Sequence, residues 1–151
     1  MNDLFSSPCS MEEILTESQI IKKCLQSCKA IALVGASPKS ELASNEVMDY
    51  LIKNNYKVYP INPKYKGQFI LGQLVYPDII SIPESIDLVD VFRPSPEAVE
   101  ITKQAIEKKV TYIWLQLGIE NEEAKKIAEA NGITMIMNRC TLIEHKKLLT
   151  K

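Results

Sequence analysis

Ala30-Ile31-Ala32-Leu33-Val34-Gly35-Ala36-Ser37 decides the fold. Five apolar residues in a row read as a short strand covered on both faces, and the glycine that follows lets the chain turn sharply out of a sheet. A helical segment from about Ser44 follows, with Val47, Met48, Leu51 and Ile52 on one side, and Lys57–Ile61 reads as a second strand. Leu74-Val75-Tyr76 reads as a third, short edge strand, and Leu88–Phe92, Thr111–Leu115 and Ile133–Met137 as the fourth, fifth and sixth. Helices are expected between the later strands. One opens at Ser95-Pro96-Glu97, where a hydroxyl, a first-turn proline and an acid suit a helix start, and another runs from about Asn121 to a stop at Asn131-Gly132. A further helix precedes the first strand, from Ser10 to about Ser27, with Ser10 and Glu13 spaced as a capping box, and a last one covers Arg139 to Leu149.

Strands alternating with helices through short connections imply right-handed parallel crossovers. The expectation is an α/β, three-layer, doubly wound Rossmann-like parallel sheet of strand order 3-2-1-4-5-6, built from residues 11–151 behind a flexible leader, residues 1–10. Ligands of such sheets bind outside the carboxyl ends of the strands, where the winding reverses. Here that point lies between the strands ending at Val34 and Phe92.

Composition is compatible with this and excludes other classes. The 151 residues carry 18 Lys+Arg and 19 Asp+Glu, with 46% hydrophobic residues, close to globular averages. A net charge of −1 gives no overall cationic field for nucleic acid or anionic membranes. No apolar run approaches the length of a membrane span, and no basic region precedes an apolar stretch at the N-terminus, so the expected location is the cytoplasm. Cys9, Cys24, Cys28 and Cys140 are too few and too scattered for a disulfide framework, and with a single histidine, His145, they make no metal site.

The segments after the strands carry the chemistry. They are Gly35-Ala36-Ser37-Pro38-Lys39, Asn62-Pro63-Lys64, Arg93-Pro94-Ser95, Gln116-Leu117-Gly118-Ile119 and Asn138-Arg139-Cys140. Together they hold cations, amides, hydroxyls and small residues, with no carboxylate and no histidine, which suits an anion and offers no general base. The full G-x-G-x-x-G fingerprint is absent, although Gly35 and the helix opening at Ser44-Asn45 remain suited to a phosphate. An NAD site would place Asp or Glu after the second strand, to bind the ribose hydroxyl. Lys64 stands there instead, which favours a phosphorylated ribose, as in NADP or coenzyme A. No further segment is left to supply a hydride-transfer site, so a binding module is expected, with an NADP-dependent oxidoreductase fragment as the alternative.

Six segments, Ile31–Ser37 (IALVGAS), Ser44–Val47 (SNEV), Val58–Lys64 (VYPINPK), Asp87–Pro94 (DLVDVFRP), Ile113–Ile119 (IWLQLGI) and Asn138–His145 (NRCTLIEH), taken in this order, resemble the small stand-alone CoA-binding proteins. Those in turn are similar to the CoA-binding domain of the succinyl-CoA synthetase alpha subunit. The resemblance implies binding of coenzyme A or an acyl-CoA without turnover. Gly35, Ala36, Ser37, Lys39, Ser44 and Asn45 would cradle the diphosphate. Asn62, Pro63 and Lys64 would flank the 3′-phosphate. Arg93, Pro94 and Ser95 would wall the crevice near adenine and diphosphate, Gln116, Gly118 and Ile119 would line the pantetheine path, and Asn138, Arg139 and Cys140 would stand near the thiol. His145 does not inherit the synthetase's phosphorylated histidine, which belongs to a second domain. The resemblance leaves open a protein partner or a homodimer, including a role as CoA-binding subunit of an acyl-CoA ligase. Cys140 beside Arg139 is the one candidate for a mixed disulfide with CoA.

Overall fold

Two apolar stripes on each central strand explain the layering of the computed structural model, which describes residues 15–149. In chain order its elements are α1 (Glu17–Ser27), β1 (Ala30–Val34), α2 (Ala43–Lys53), β2 (Lys57–Ile61), a hairpin of β3 (Phe69–Ile70) and β4 (Gln73–Leu74), β5 (Leu88–Val91), α3 (Ala98–Lys108), β6 (Tyr112–Leu115), α4 (Glu122–Ala130), β7 (Thr134–Ile136) and α5 (Thr141–Leu149). Five strands form one sheet in the order β2-β1-β5-β6-β7, every pair parallel. Alternate residues of β1 point to opposite faces: Ala32 and Val34 pack with α3 and α4, while Ile31 and Leu33 pack with α1 and α2. Since side chains alternate along a strand, an all-apolar run requires cover on both sides, and both sides have it. Trp114, fully buried, joins the second cluster and donates its Nε1–H to the Arg139 carbonyl at 2.8 Å. The architecture is α/β and Rossmann-like, with helices on both faces.

The structure corrects three expectations. Leu74-Val75-Tyr76 does not join the sheet as a full third strand, so among the described residues the sheet has five strands rather than six, and the expected order 3-2-1-4-5-6 lacks its strand 3. Tyr76 makes a single parallel bridge to Ile61 at the outer edge of β2, and Leu74 pairs instead with Phe69 in the hairpin. Ser95 does not cap a helix: Ser95–Glu97 forms one 3₁₀ turn ahead of α3, and its hydroxyl accepts from the Glu120 N–H at 3.0 Å. The first helix is not continuous from Ser10, because Thr16 is extended and starts α1 with its own capping box, formed with Gln19. Ser10, Glu13 and the proposed leader, residues 1–10, lie outside the described residues.

Candidate functional site

The chain leaves β1 through Gly35, whose φ of +94° belongs to the left-handed region. A Cβ here would lie 2.8 Å from the Phe92 carbonyl oxygen and 3.1 Å from Arg93 Cδ. Gly35 therefore serves two needs, the turn itself and the close crossing of the Arg93 side chain over the loop. The Gly35 and Ala36 N–H groups both donate to the Ile61 carbonyl, at 2.9 and 3.2 Å. Asn62 completes the clamp. Its Nδ2 donates to the Ala36 carbonyl at 2.9 Å, and its Oδ1 accepts from the Lys64 N–H at 2.9 Å, capping the short 3₁₀ turn that aims Lys64. From the other side, Asn45 at the start of α2 donates to the Ser37 carbonyl at 2.9 Å. The loops after β1 and β2 are thus one hydrogen-bonded unit.

Beside this unit opens a cavity of about 680 Å³ at the carboxyl ends of β1 and β2 and beside the start of α3. Gly35, Asn62, Pro63, Lys64 and Arg93 line it. It also lies where the winding reverses, since β1 sits between β2 and β5 and the crossovers run on opposite faces on either side. Ile61, Ile79 and Ile101 give it apolar walls.

Asp78, Glu97, Glu100 and Gln104 also face this cavity, which corrects the expectation of a site without carboxylates. They come from the segment after Tyr76 and from the 3₁₀ turn and helix α3, positions that reading only the residues after each strand does not reach. The signal was available: Glu97, Glu100 and Gln104 fall at spacings of three and four residues, on one helical side. Arg93 and Glu97 form a bidentate pair, Nε to Oε1 at 3.0 Å and Nη2 to Oε2 at 2.8 Å. That hydrogen bonding holds the Glu97 carboxyl below its ordinary value and raises the guanidinium further. Lys64 rests over the Tyr65 ring, its Nζ 5.4 Å from the ring centre.

The remaining expected residues fall into two groups. Ala36, Ser37, Ser44 and Asn45 are buried around the loop after β1, and Lys39 is exposed beside it, its N–H donating to Ser37 Oγ at 3.1 Å. They support the loop and do not line the cavity. Pro94 and Ser95 belong to the 3₁₀ turn and its approach; the Ser95 carbonyl accepts from Asn121 Nδ2 at 2.9 Å. Gln116, Gly118, Ile119, Asn138, Arg139 and Cys140 stand at the ends of β6 and β7, apart from the cavity. Gln116 is turned inward: its Nε2 donates to Asp90 Oδ1 at 2.6 Å and to Thr141 Oγ1 at 2.9 Å, while the Thr141 hydroxyl donates to Asp90 Oδ2 at 3.0 Å. Burial pushes Asp90 up to about 7 against the opposing pull of these bonds. Gly118 and Asn138 tie the two strand ends together, N–H to Oδ1 at 2.7 Å. Ile119 packs against the core.

Arg139 pairs with Glu17 at 2.5 Å. Cys140 is half-buried against the second core cluster. Cys24 and Cys28 are buried thiols in α1 and at its end, and their mutual hydrogen bond, with burial, pushes Cys24 up. His145 sits on the opposite face, sharing a 2.7 Å hydrogen bond between its Nδ1 and the Tyr50 hydroxyl. Among the described residues no group of His, Cys, Asp and Glu could hold a metal ion, and no helix is long and apolar enough to cross a membrane.

The chain is similar to known proteins in sequence and fold. The chain is 40% identical to a hypothetical protein from Pyrococcus horikoshii OT3 of solved structure, covering 99% of each chain with a TM-score of 0.84. It is 32% identical to Uncharacterized protein YneT of Bacillus subtilis (strain 168), over 83% of this chain and 91% of that one. It is also 33% identical to Acetate--CoA ligase [ADP-forming] I of Archaeoglobus fulgidus, over 74% of this chain but only 18% of the ligase's length. The family model described as CoA binding domain matches residues 29–146. That match takes in every strand and both loops that build the cavity, and the chain belongs to the CoA binding domain family.

Proposed function

We propose that this domain holds coenzyme A or an acyl-CoA in the cavity beside β1 and β2, as a non-catalytic module that carries or senses the ligand. The observation that carries the reading is the meeting of Lys64, Arg93 and the Gly35 loop on one cavity. Two cations flank a backbone turn that admits no side chain, and the cation after β2 stands where an NAD site needs a carboxylate. A phosphorylated ribose satisfies Lys64, and a diphosphate fits beside the Arg93 guanidinium, whose stem Gly35 lets cross the loop. The volume is in the range of small-molecule sites, with apolar walls for a base. Asn62, Asn45 and Ser37 act here as supports that fix the loops. Gln116, Gly118, Ile119, Asn138, Arg139 and Cys140 lie along the neighbouring strand ends and would meet only the pantetheine arm. Buried free thiols at Cys24 and Cys28 fit a reducing, cytoplasmic setting. The ligase similarity, confined to 18% of the ligase's length, favours a second reading in which this domain is the CoA-binding part of a larger acyl-CoA-forming assembly.

Thermal-shift titration tests the common core of both readings, because a ligand that binds only the native state raises the melting temperature. CoA should stabilise the protein, dephospho-CoA should stabilise it less, and NADPH should not. Lys64→Ala should weaken CoA about ten- to a hundred-fold, the worth of one charge-assisted contact, and leave dephospho-CoA nearly unchanged. Stabilisation by NADPH but not CoA would replace this reading with a dinucleotide-dependent oxidoreductase.

A further inference from the structure

We infer that Glu97 is a positioning residue that sets Arg93 for the ligand's diphosphate, an inference that rests on the CoA reading above. The segment Arg93-Pro94-Ser95-Pro96-Glu97 is held at both ends by the protein's own bonds. Two prolines restrict the backbone between the ionic partners. Ser95 anchors the segment to the start of α4, its hydroxyl accepting from the Glu120 N–H at 3.0 Å and its carbonyl from Asn121 Nδ2 at 2.9 Å. Gly35 leaves room for the Arg93 stem, which passes 3.1 Å from where a Cβ would stand. At the far end Glu97 grips the guanidinium through Nε and Nη2. Glu97 stands at the N-cap of α3 yet makes no side-chain cap bond, so its carboxylate serves Arg93 instead of the helix.

The side-on grip has a geometric consequence. A guanidinium carries five N–H donors in a rigid fork, and a carboxylate on Nε and one Nη2 proton leaves both Nη1 protons and the second Nη2 proton for another acceptor. Arg93 can therefore hold Glu97 and a phosphate together. Both side chains are nearly half exposed (45% and 46%), so the pair adds little to folding. Its value is to hold a long, freely rotating side chain in place before binding. A competing role is also defined by the same contact: Glu97 could mask Arg93 and oppose an anion.

Calorimetric titration of CoA and dephospho-CoA against the wild type, Glu97→Gln, Arg93→Ala and the double variant separates these roles. Glu97→Gln should weaken both ligands by about two- to twelve-fold, the cost of ordering one flexible side chain on binding, although it removes a negative charge from the cavity. Equal losses for the two ligands place the effect at the diphosphate rather than the 3′-phosphate. In the Arg93→Ala background Glu97→Gln should produce no weakening. Nitrogen-resolved NMR adds a readout that needs no ligand: the Arg93 Nε–H should exchange slowly in the wild type and rapidly in Glu97→Gln. Tighter or unchanged binding by Glu97→Gln, or the same loss with and without Arg93, overturns the inference while CoA binding stands. No binding of CoA by the wild type overturns the CoA reading itself.

Discussion

Gly35 shows how one position can carry both fold and site. The sequence marks it as a turn residue after a buried strand, and the structure adds a second demand, the passage of the Phe92 carbonyl and the Arg93 stem across its open face. Gly35→Ala meets both obstacles, and the nearer one is backbone that cannot rotate away. A non-glycine residue held at a left-handed φ costs about 1–3 kcal/mol, and the 2.8 Å contact adds to it. Urea denaturation should show a loss of at least that size, with CoA affinity falling as Arg93 is displaced; near wild-type stability would mean that the loop relaxes freely. Lys64 and Arg93 were legible for the same reason as Gly35, since charge after a strand needs only the strand to be found. Asn62 was legible as a position but not in its work. Its bond to Ala36 joins residues 26 apart, and no local pattern announces such a partner. Glu97 reads only as the acid of a helix start, and Glu100 escapes because the helix that follows the strand end is not read as part of the site.

Elements were easiest to read where period and punctuation agree. β1 and β6 are short apolar runs and β5 is one interrupted only by Asp90; each is bounded by polar or turn residues, and each is a buried strand. Asn121 and Thr16 cap their helices with side-chain oxygens, at Ala124 and Gln19. The Thr16-x-x-Gln19 spacing carries the same signal as a capping box and starts α1. The hairpin defeated the pattern. Phe69 to Tyr76 is nearly all apolar and only its last three residues read as an edge strand, whereas Leu71 and Gly72 both take positive φ, 49° and 78°. Two such residues make a tight hairpin turn, which folds the run back on itself after two residues a side. Leucine is a rare occupant of that conformation, so the turn left no sign in the sequence beyond one glycine. Ser95 failed as a cap for a related reason, since its hydroxyl and carbonyl are taken by α4, a contact between elements rather than within one.

For the molecule as a whole, one buried acid should leave its mark on stability. Asp90 lies in mid-sheet with no exposed surface, between Leu33 and Trp114 on the flanking strands, and Gln116 and Thr141 supply its polar neighbours. Burial lifts it from the ordinary aspartate value to about 7. Below the ordinary value the native and unfolded chains both hold the proton, and Asp90 adds no pH dependence. Between that value and about 7 the unfolded chain ionises while the native one keeps its proton. The native state then binds more protons, and stability falls as pH rises. Above that range both states are ionised and the full penalty is in place, on the order of 4 kcal/mol. His145 acts in the opposite sense, because burial lowers it and stability from that group rises as the proton leaves. Comparison with Asp90→Asn isolates the carboxyl: the amide oxygen can accept from Gln116 and its nitrogen can donate to the Thr141 oxygen, so the bonded triangle survives without a titrating group. Urea midpoints measured from pH 5 to pH 8 should therefore shift in favour of Asp90→Asn as pH increases, with the gap between wild type and variant narrowing toward the acid end. A difference that stays constant across that range would show that Asp90 ionises in the native fold as readily as in the unfolded chain, through a relaxation that brings water to the end of β5.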